Sequence, residues 1–171
     1  MHDVVDAVDP RIGRTTEMSY VIRSILAPTD FSEHSHHALE YARLFAERWG
    51  ASLHLLNVIE PAVFPAEGGL TPIGAMKIAD DMEESANAHL RRMVERPELS
   101  GLTIQTSIAY GRASSGIIDY AAENGIDLIV IATHGRTGIE HLIFGSTAER
   151  VVREAPCPVL TVRPVREEEG D

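Results

Sequence analysis

From residue 21 onward the apolar positions alternate between two periods. Residues 21–27 form a short run rich in β-branched side chains, stopped by Pro28. Ser32 reads as an N-cap. After it Ala38, Tyr41, Ala42, Phe45 and Trp49 recur at i, i+3/i+4 spacing and predict a helix with those side chains on its core face. Gly50 is placed to end that helix in the left-handed conformation. Residues 53–59 are a second apolar run. Residues 60–74 hold three Pro and three Gly and predict a loop. Ile78, Met82, Ala86, Leu90 and Met93 then mark a second helix that stops before Pro97. A third strand is expected over 102–109. Ile117, Ile118, Ala121 and Ala122 mark a third helix closed by Gly125, with Ser114 and Ser115 as its expected caps. Residues 127–132 are a fourth strand, apolar after its first residue. Ser146 and Glu149 have the spacing of a capping box, opening a helix that carries Ala148, Val151 and Val152. Residues 158–163 are a fifth strand.

Five strands alternating with four helices predict an α/β fold, a single-domain three-layer sandwich. Right-handed crossovers make the sheet parallel and cover both of its faces. The uninterrupted apolar run at 128–132 is what a strand buried on both sides requires. In such a sheet a ligand binds beyond the carboxyl ends of the strands. Candidate chemistry therefore belongs in the loops after strands one to four.

Composition narrows this further. The 171 residues are 44% hydrophobic and 24% charged, as in an ordinary globular domain. The net charge is −11, which opposes long-range attraction to nucleic acid. The apolar runs are far below the roughly 18–20 residues of a membrane span, and the first residues have no secretory pattern. No nucleic-acid or membrane partner and a cytoplasmic location are expected. The lone Cys157 excludes an internal disulfide and reads as a small buried filler. Residues 1–17 show no period and are expected to be a flexible leader. With four acids against two arginines they carry −2. Residues 164–171, four acids against one arginine, carry −3. The folded domain is bounded at 18–164, with an acidic tail at 165–171.

After strand one, Asp30 either receives hydrogen bonds from a ribose or base or, with Ser32, only caps the first helix. After strand four, Gly135 and Gly138 sit in a long loop with His134 and Arg136, and Gly145-Ser146 open a helix. Free amides and the dipole of a helix start favour an anion, so this is a candidate phosphate cradle; alternatively the glycines only shape the loop. It is neither a Walker A loop nor a Rossmann fingerprint. His34, His36 and His37 stand in one helical turn, but no further ligand set converges with them in sequence, and no metal site is assigned.

The segments 131–138, 145–152, 156–162, 25–32 and 55–58 together resemble the universal stress protein family, in the right order and over residues 20–164. The resemblance implies a five-stranded sheet of order 3-2-1-4-5, like that of the adenine nucleotide α-hydrolases, in a homodimer. Nucleotide-binding members share a G-x-x-G-x9-G-[ST] pattern. Here it falls on Ala132, Gly135, Gly145 and Ser146, so the first glycine is an alanine. Alanine keeps the N–H donor and adds one methyl, and would be strained only at positive φ. By the family pattern Pro28, Thr29, Asp30 and Val58 line the base and ribose, and Ile131 and Ala132 lie beside the sugar. Gly135, Arg136, Gly145, Ser146 and Thr147 hold the phosphates, with His134 in the phosphate loop and Gly111 and Arg112 at the same mouth. The cofactor implied is ATP, ADP or AMP, with Mg²⁺ on the phosphates. The edge strand Val159–Val162 is the expected dimer contact, because self-pairing removes an exposed edge. Hydrolysis, if any, should be slow, since no catalytic residue is assigned. The S-G-G-x-D-S and H-I-G-H motifs of the related enzymes are absent. The expectation is a nucleotide-binding stress-response regulator. The alternative is an interaction module of the same fold that binds no nucleotide.

Overall fold

A computed structural model of the chain describes residues 21–60, 72–134 and 145–163. The leader, the tail, Gly135, Arg136 and Gly138 lie outside the described residues. The strands are β1 (Ser24–Pro28), β2 (Ser52–Ile59), β3 (Ile104–Tyr110), β4 (Leu128–Ala132) and β5 (Val159–Val162). They form one parallel sheet of order β3-β2-β1-β4-β5, as the sequence implies. The helices are α1 (Glu33–Trp49), α2 (Pro72–Val94), α3 (Ala113–Glu123) and α4 (Ser146–Glu154).

Strand parity divides the core in two. Ile25, Ala27, Leu53, Leu55 and Val130 point to the face covered by α1 and α2. Leu26, Leu56, Ile129 and Ile131 point to the face covered by α3 and α4. Consecutive residues of each strand thus serve opposite cores, which is why the strands are apolar throughout. Among the described residues no helix is long and apolar enough to cross a membrane.

Two devices fix the strand starts and the helix ends. Asp127 accepts three hydrogen bonds on one carboxylate oxygen, from the amides of Arg23 and Ser24 and from the Ser24 hydroxyl, at 2.8–3.0 Å. It staples the start of β1 to the start of β4. Gly50 ends α1 at φ 65°, its amide donating to the Ala46 carbonyl, as its position predicts.

Several local expectations are corrected. β1 starts at Ser24, three residues later than expected. The second helix begins at Pro72, inside the stretch read as loop, because proline suits the first helical turn. Along α1 the buried residues are Ser35, Ala38, Leu39, Ala42 and Ala46, while Tyr41 and Trp49 are exposed. Small alanines let α1 lie close on the sheet, and the large rings are displaced to its flank. There Phe45 and Trp49 stack at 4.8 Å, with Phe45 alone reaching the core. Met82 and Val152 are likewise exposed rather than in the core. Ser114 and Ser115 do not cap α3. The cap position is Arg112, without a side-chain bond, and Ser114 is buried as the second residue of the helix. The Ala113 amide instead donates to Glu60 Oε1 at 2.7 Å. Ser146 is not an N-cap either. The cap is Gly145, and Ser146 is the first helical residue, so the capping box does not form.

Candidate nucleotide site

The carboxyl ends of β1, β2 and β4 and the starts of α3 and α4 enclose a cavity of about 260 Å³. Of the residues expected at the site, Pro28, Thr29, Asp30, Val58, Ile131, Ala132, His134, Gly145, Ser146 and Thr147 all line it. Gly111 does not. It holds a tight turn at φ 114°, its amide donating to the Ile59 carbonyl, and the cavity wall there is Ala113. Gly135 and Arg136 lie outside the described residues. Ser35, Leu56, Ile117, Thr133 and Ala148 complete the lining and were missed. Leu56 and Ile117 carry only a core signal in sequence. Thr133 lies inside the quoted motif, and its place just past a strand end was the clue available.

The loop after β1 is held by a chain of hydroxyls. Thr29 donates its amide to the Leu56 carbonyl at 2.8 Å, and the buried Asn57 Nδ2 donates to the Thr29 carbonyl at 2.7 Å. The Phe31 amide donates to Thr29 Oγ1 at 3.0 Å, and the Thr29 and Ser35 hydroxyls meet at 3.1 Å. Among the described residues Phe31 is the one non-glycine at positive φ, 64°. Such a backbone costs about 1–3 kcal/mol and persists only where its surroundings over-determine it. This network is that surrounding, and its result is to fix Asp30 at the cavity rim. Asp30 helps to hold the start of α1. Its Oδ1 accepts from the Ser32 hydroxyl at 2.6 Å and the Ser32 amide at 3.1 Å, while Ser32 caps α1 by accepting from the Ser35 amide. The residue nevertheless lines the cavity.

On the opposite side, Gly145 is explained by packing. Its φ is −73°, so no left-handed backbone demands glycine. Its amide donates to the Thr133 carbonyl at 2.7 Å, and a Cβ there would lie 3.2 Å from that same oxygen. The amide of Gly145 is therefore committed within the fold. The donors left over at the start of α4 are those of the first helical turn, Ser146, Thr147 and Ala148, which have no intrahelical acceptor. The Ser146 hydroxyl, released from capping, lies beside them. Ala132 ends β4 opposite Val162 and does not have positive φ, so the methyl that replaces the pattern's glycine brings no backbone strain. Gly116 fits α3 against β2, since a Cβ there would sit 3.0 Å from Val58 Cγ1.

Two histidines meet at the mouth. His134 Nδ1 lies 3.0 Å from the buried Thr133 hydroxyl, and the His34 and His134 rings are 6.2 Å apart. His37 instead sits edge-on to Tyr41. Among the described residues no three His, Cys, Asp or Glu side chains converge in a way that could hold a metal ion. Cys157 is half-buried, packs under the α3/α4 face and has its thiol pKa raised by burial, then by the charge of Asp127.

An apolar slot, an acidic residue at one rim and a ring of helix amides at the other are thus arranged on a 3-2-1-4-5 sheet. The same sheet is found in known proteins. The model of the universal stress protein family matches residues 22–163. The chain is 32% identical over 149 residues to universal stress protein MJ0531 of Methanocaldococcus jannaschii, covering 85% of each. Its structure is similar to that of universal stress protein UspA from Lactobacillus plantarum, with TM-score 0.71 and 29% identity, over 83% of this chain and 98% of the other. A universal stress protein solved in complex with cAMP shares the fold at TM-score 0.55 and 21% identity, over 83% and 97% of the two chains. Sequence, sheet order and relatives agree, and the chain belongs to the universal stress protein family.

Proposed function

We propose that the protein is a homodimeric, cytoplasmic regulator that binds an adenine nucleotide, ATP by preference, in the cavity at the carboxyl end of its sheet. The observation that carries this reading is the cavity's chemistry. Leu56, Val58, Ile117 and Ile131 make a flat apolar slot suited to a base, and Asp30 stands where a ribose hydroxyl would donate. The free amides of Ser146, Thr147 and Ala148 offer an anion the positive end of α4. A volume of 260 Å³ suits a base and sugar, with the phosphates running out across the start of α4. That a member of this family is solved with cAMP supports the same class of ligand.

A protein of net charge −11 does not attract a triphosphate at long range, so local donors must supply the affinity. Arg136, between β4 and α4 in the sequence, is the cation proposed to help. Mg²⁺ would ride on the phosphates and water, since no described carboxylate set holds it. Among the described residues none is positioned as an evident base toward a terminal phosphate, and the reading is of a binding protein with slow turnover at most.

The test is calorimetric titration of the purified protein with ATP and Mg²⁺, beside Gly145→Val. The wild type should bind one nucleotide per chain. The variant, whose branched side chain collides with the Thr133 carbonyl and tips the start of α4, should lose at least about tenfold in affinity. Absence of heat in the wild type at high ligand concentration would sink the nucleotide reading and leave the interaction module. Equal binding by both proteins would move the site elsewhere.

A further inference from the structure

Two imidazoles from remote parts of the chain meet at the mouth of the cavity, where a phosphate chain would leave it. His34 stands in the first turn of α1, and His134 lies in the cavity wall just after β4. Their rings are 6.2 Å apart and tilted by 47°. Both are held in place. The Nδ1 of His134 lies 3.0 Å from the hydroxyl of Thr133, which is 1% exposed. Thr133 is itself pinned through its backbone, its amide donating to the Val162 carbonyl and its carbonyl accepting from the Gly145 amide. His34 is carried by a helix start that the Ser32 cap secures. The first-turn residues of α4 line the same end of the cavity as His134.

The charge at this mouth is the second observation. No Lys or Arg is among the described residues that line the cavity. The charged and titratable groups around the pair are Asp30 from the loop after β1, Glu33 and His37 on α1, and Glu149 in the first turn of α4. Asp30 is engaged with Ser32 through Oδ1, and His37 is turned edge-on to Tyr41. His34 and His134 are thus the described side chains at the mouth that can supply positive charge to a ligand. Imidazoles change charge between about pH 5 and 8. Two of them side by side repel each other once both are charged, and an anion between them removes that cost. Among the described residues no third His, Cys, Asp or Glu joins them in a way that could hold a metal ion. The pair matches an oxyanion.

We propose that His34 and His134 receive the phosphate chain of the bound nucleotide as a pair of imidazolium donors, so that the site selects phosphorylated nucleosides and takes up protons as it fills. This rests on the nucleotide reading and adds to it how the phosphates are held. The sign follows from linkage. A ligand that favours the protonated form of a group binds more tightly as pH falls through the range where that group titrates. Affinity for ATP therefore rises from pH 8 to pH 6.

The test is calorimetric titration of the full chain with ATP at saturating Mg²⁺, beside adenosine, which has the base and ribose but no phosphate. ATP is expected to bind about fivefold more tightly, or better, at pH 6 than at pH 8, and adenosine to change by less than about twofold. Titrations at neutral pH in buffers of different ionisation heat should show uptake of on the order of one proton with ATP. In His34→Gln and in His134→Gln, each checked for native circular dichroism, the ratio between the two pH values should shrink, and in the double variant it should fall below about twofold. ATP binding of equal strength at both pH values, a ratio that the double variant keeps, or the same ratio with adenosine overturns the pair and leaves the nucleotide site standing. So does ATP binding that needs Zn²⁺ in place of Mg²⁺, which would make the pair a metal site. No ATP binding at either pH removes the pair and the nucleotide reading together.

Discussion

Single residues carry the sharpest consequences. Ala132 departs from the family's glycine, yet its backbone is ordinary strand and its methyl meets no strain. Ala132→Gly is therefore expected to change nucleotide affinity by less than about threefold, and to lower stability by about 0.5–1 kcal/mol through backbone entropy. Calorimetry and chemical denaturation read the two effects separately. Asp127 has its carboxyl pKa lowered. Burial acts to raise it, and the bonds from the Arg23 amide, the Ser24 hydroxyl and the Ser24 amide outweigh that. A depressed folded pKa means stability that is present in full above the unfolded value of 3.8 and is lost as pH falls through the lower folded value. Asp127→Asn should cost about 1 kcal/mol near neutral pH, a figure kept low for a largely solvated group, and should flatten the acid limb of the stability curve. Denaturation midpoints between roughly pH 2 and 6 measure both. A variant that keeps the wild-type acid slope would remove the staple from the account. The residue scale also shows where sequence reading stops. Gly145 matches a motif position, but its reason, a carbonyl 3.2 Å from a would-be Cβ, exists only once β4 and α4 are side by side.

At the scale of elements, the period of the apolar residues located the five strands and four α-helices of the described residues, but helix faces were less legible than helix existence. The pattern Ala38, Tyr41, Ala42, Phe45, Trp49 has helical spacing, and the sheet selected its alanine edge because close packing favours small side chains there. Large aromatic residues weigh heavily in a pattern and lightly in a tight helix–sheet contact. Caps moved for a similar reason. Serines at 114 and 146 carry the right residue type, but the preceding backbone had already turned into the cap conformation at Arg112 and Gly145. The contact between α3 and β2 gives an element-level prediction. Gly116→Val would press its side chain on Val58, already 3.0 Å from an added Cβ. It should destabilise the fold by about 1–3 kcal/mol and weaken nucleotide binding by shifting the Val58 wall. Thermal unfolding with and without ATP separates the two losses. A variant as stable as the wild type would show that α3 can yield.

For the whole molecule, the sheet ends in β5, a four-residue strand paired on one side only among the described elements. The carbonyls of Pro158 and Val162 accept from β4, so strand periodicity turns the backbone of Val159 and Thr161 outward. That outward edge is where we propose a second copy pairs. Thr161→Pro removes one outward N–H while sparing the ladder to β4, and proline is tolerated on edge strands. Sedimentation should show the wild type with the mass of two chains at micromolar concentration and the variant shifted toward one. A wild type sedimenting as a single chain would overturn the dimer.

The sequence by itself determined the sheet, its order through the family pattern, and the loops in which a ligand must be sought. The physical reason is that burial periodicity and turn chemistry are local, written in neighbouring residues. Tertiary structure alone decided which face of α1 is buried and that Gly111 stands outside the cavity while Ala113 lines it. It also decided that the Gly145 amide is spent inside the fold, and that His34 and His134, 100 residues apart in sequence, meet at one mouth. Those outcomes depend on distances between elements remote in the chain, and no pattern of neighbouring residues encodes them.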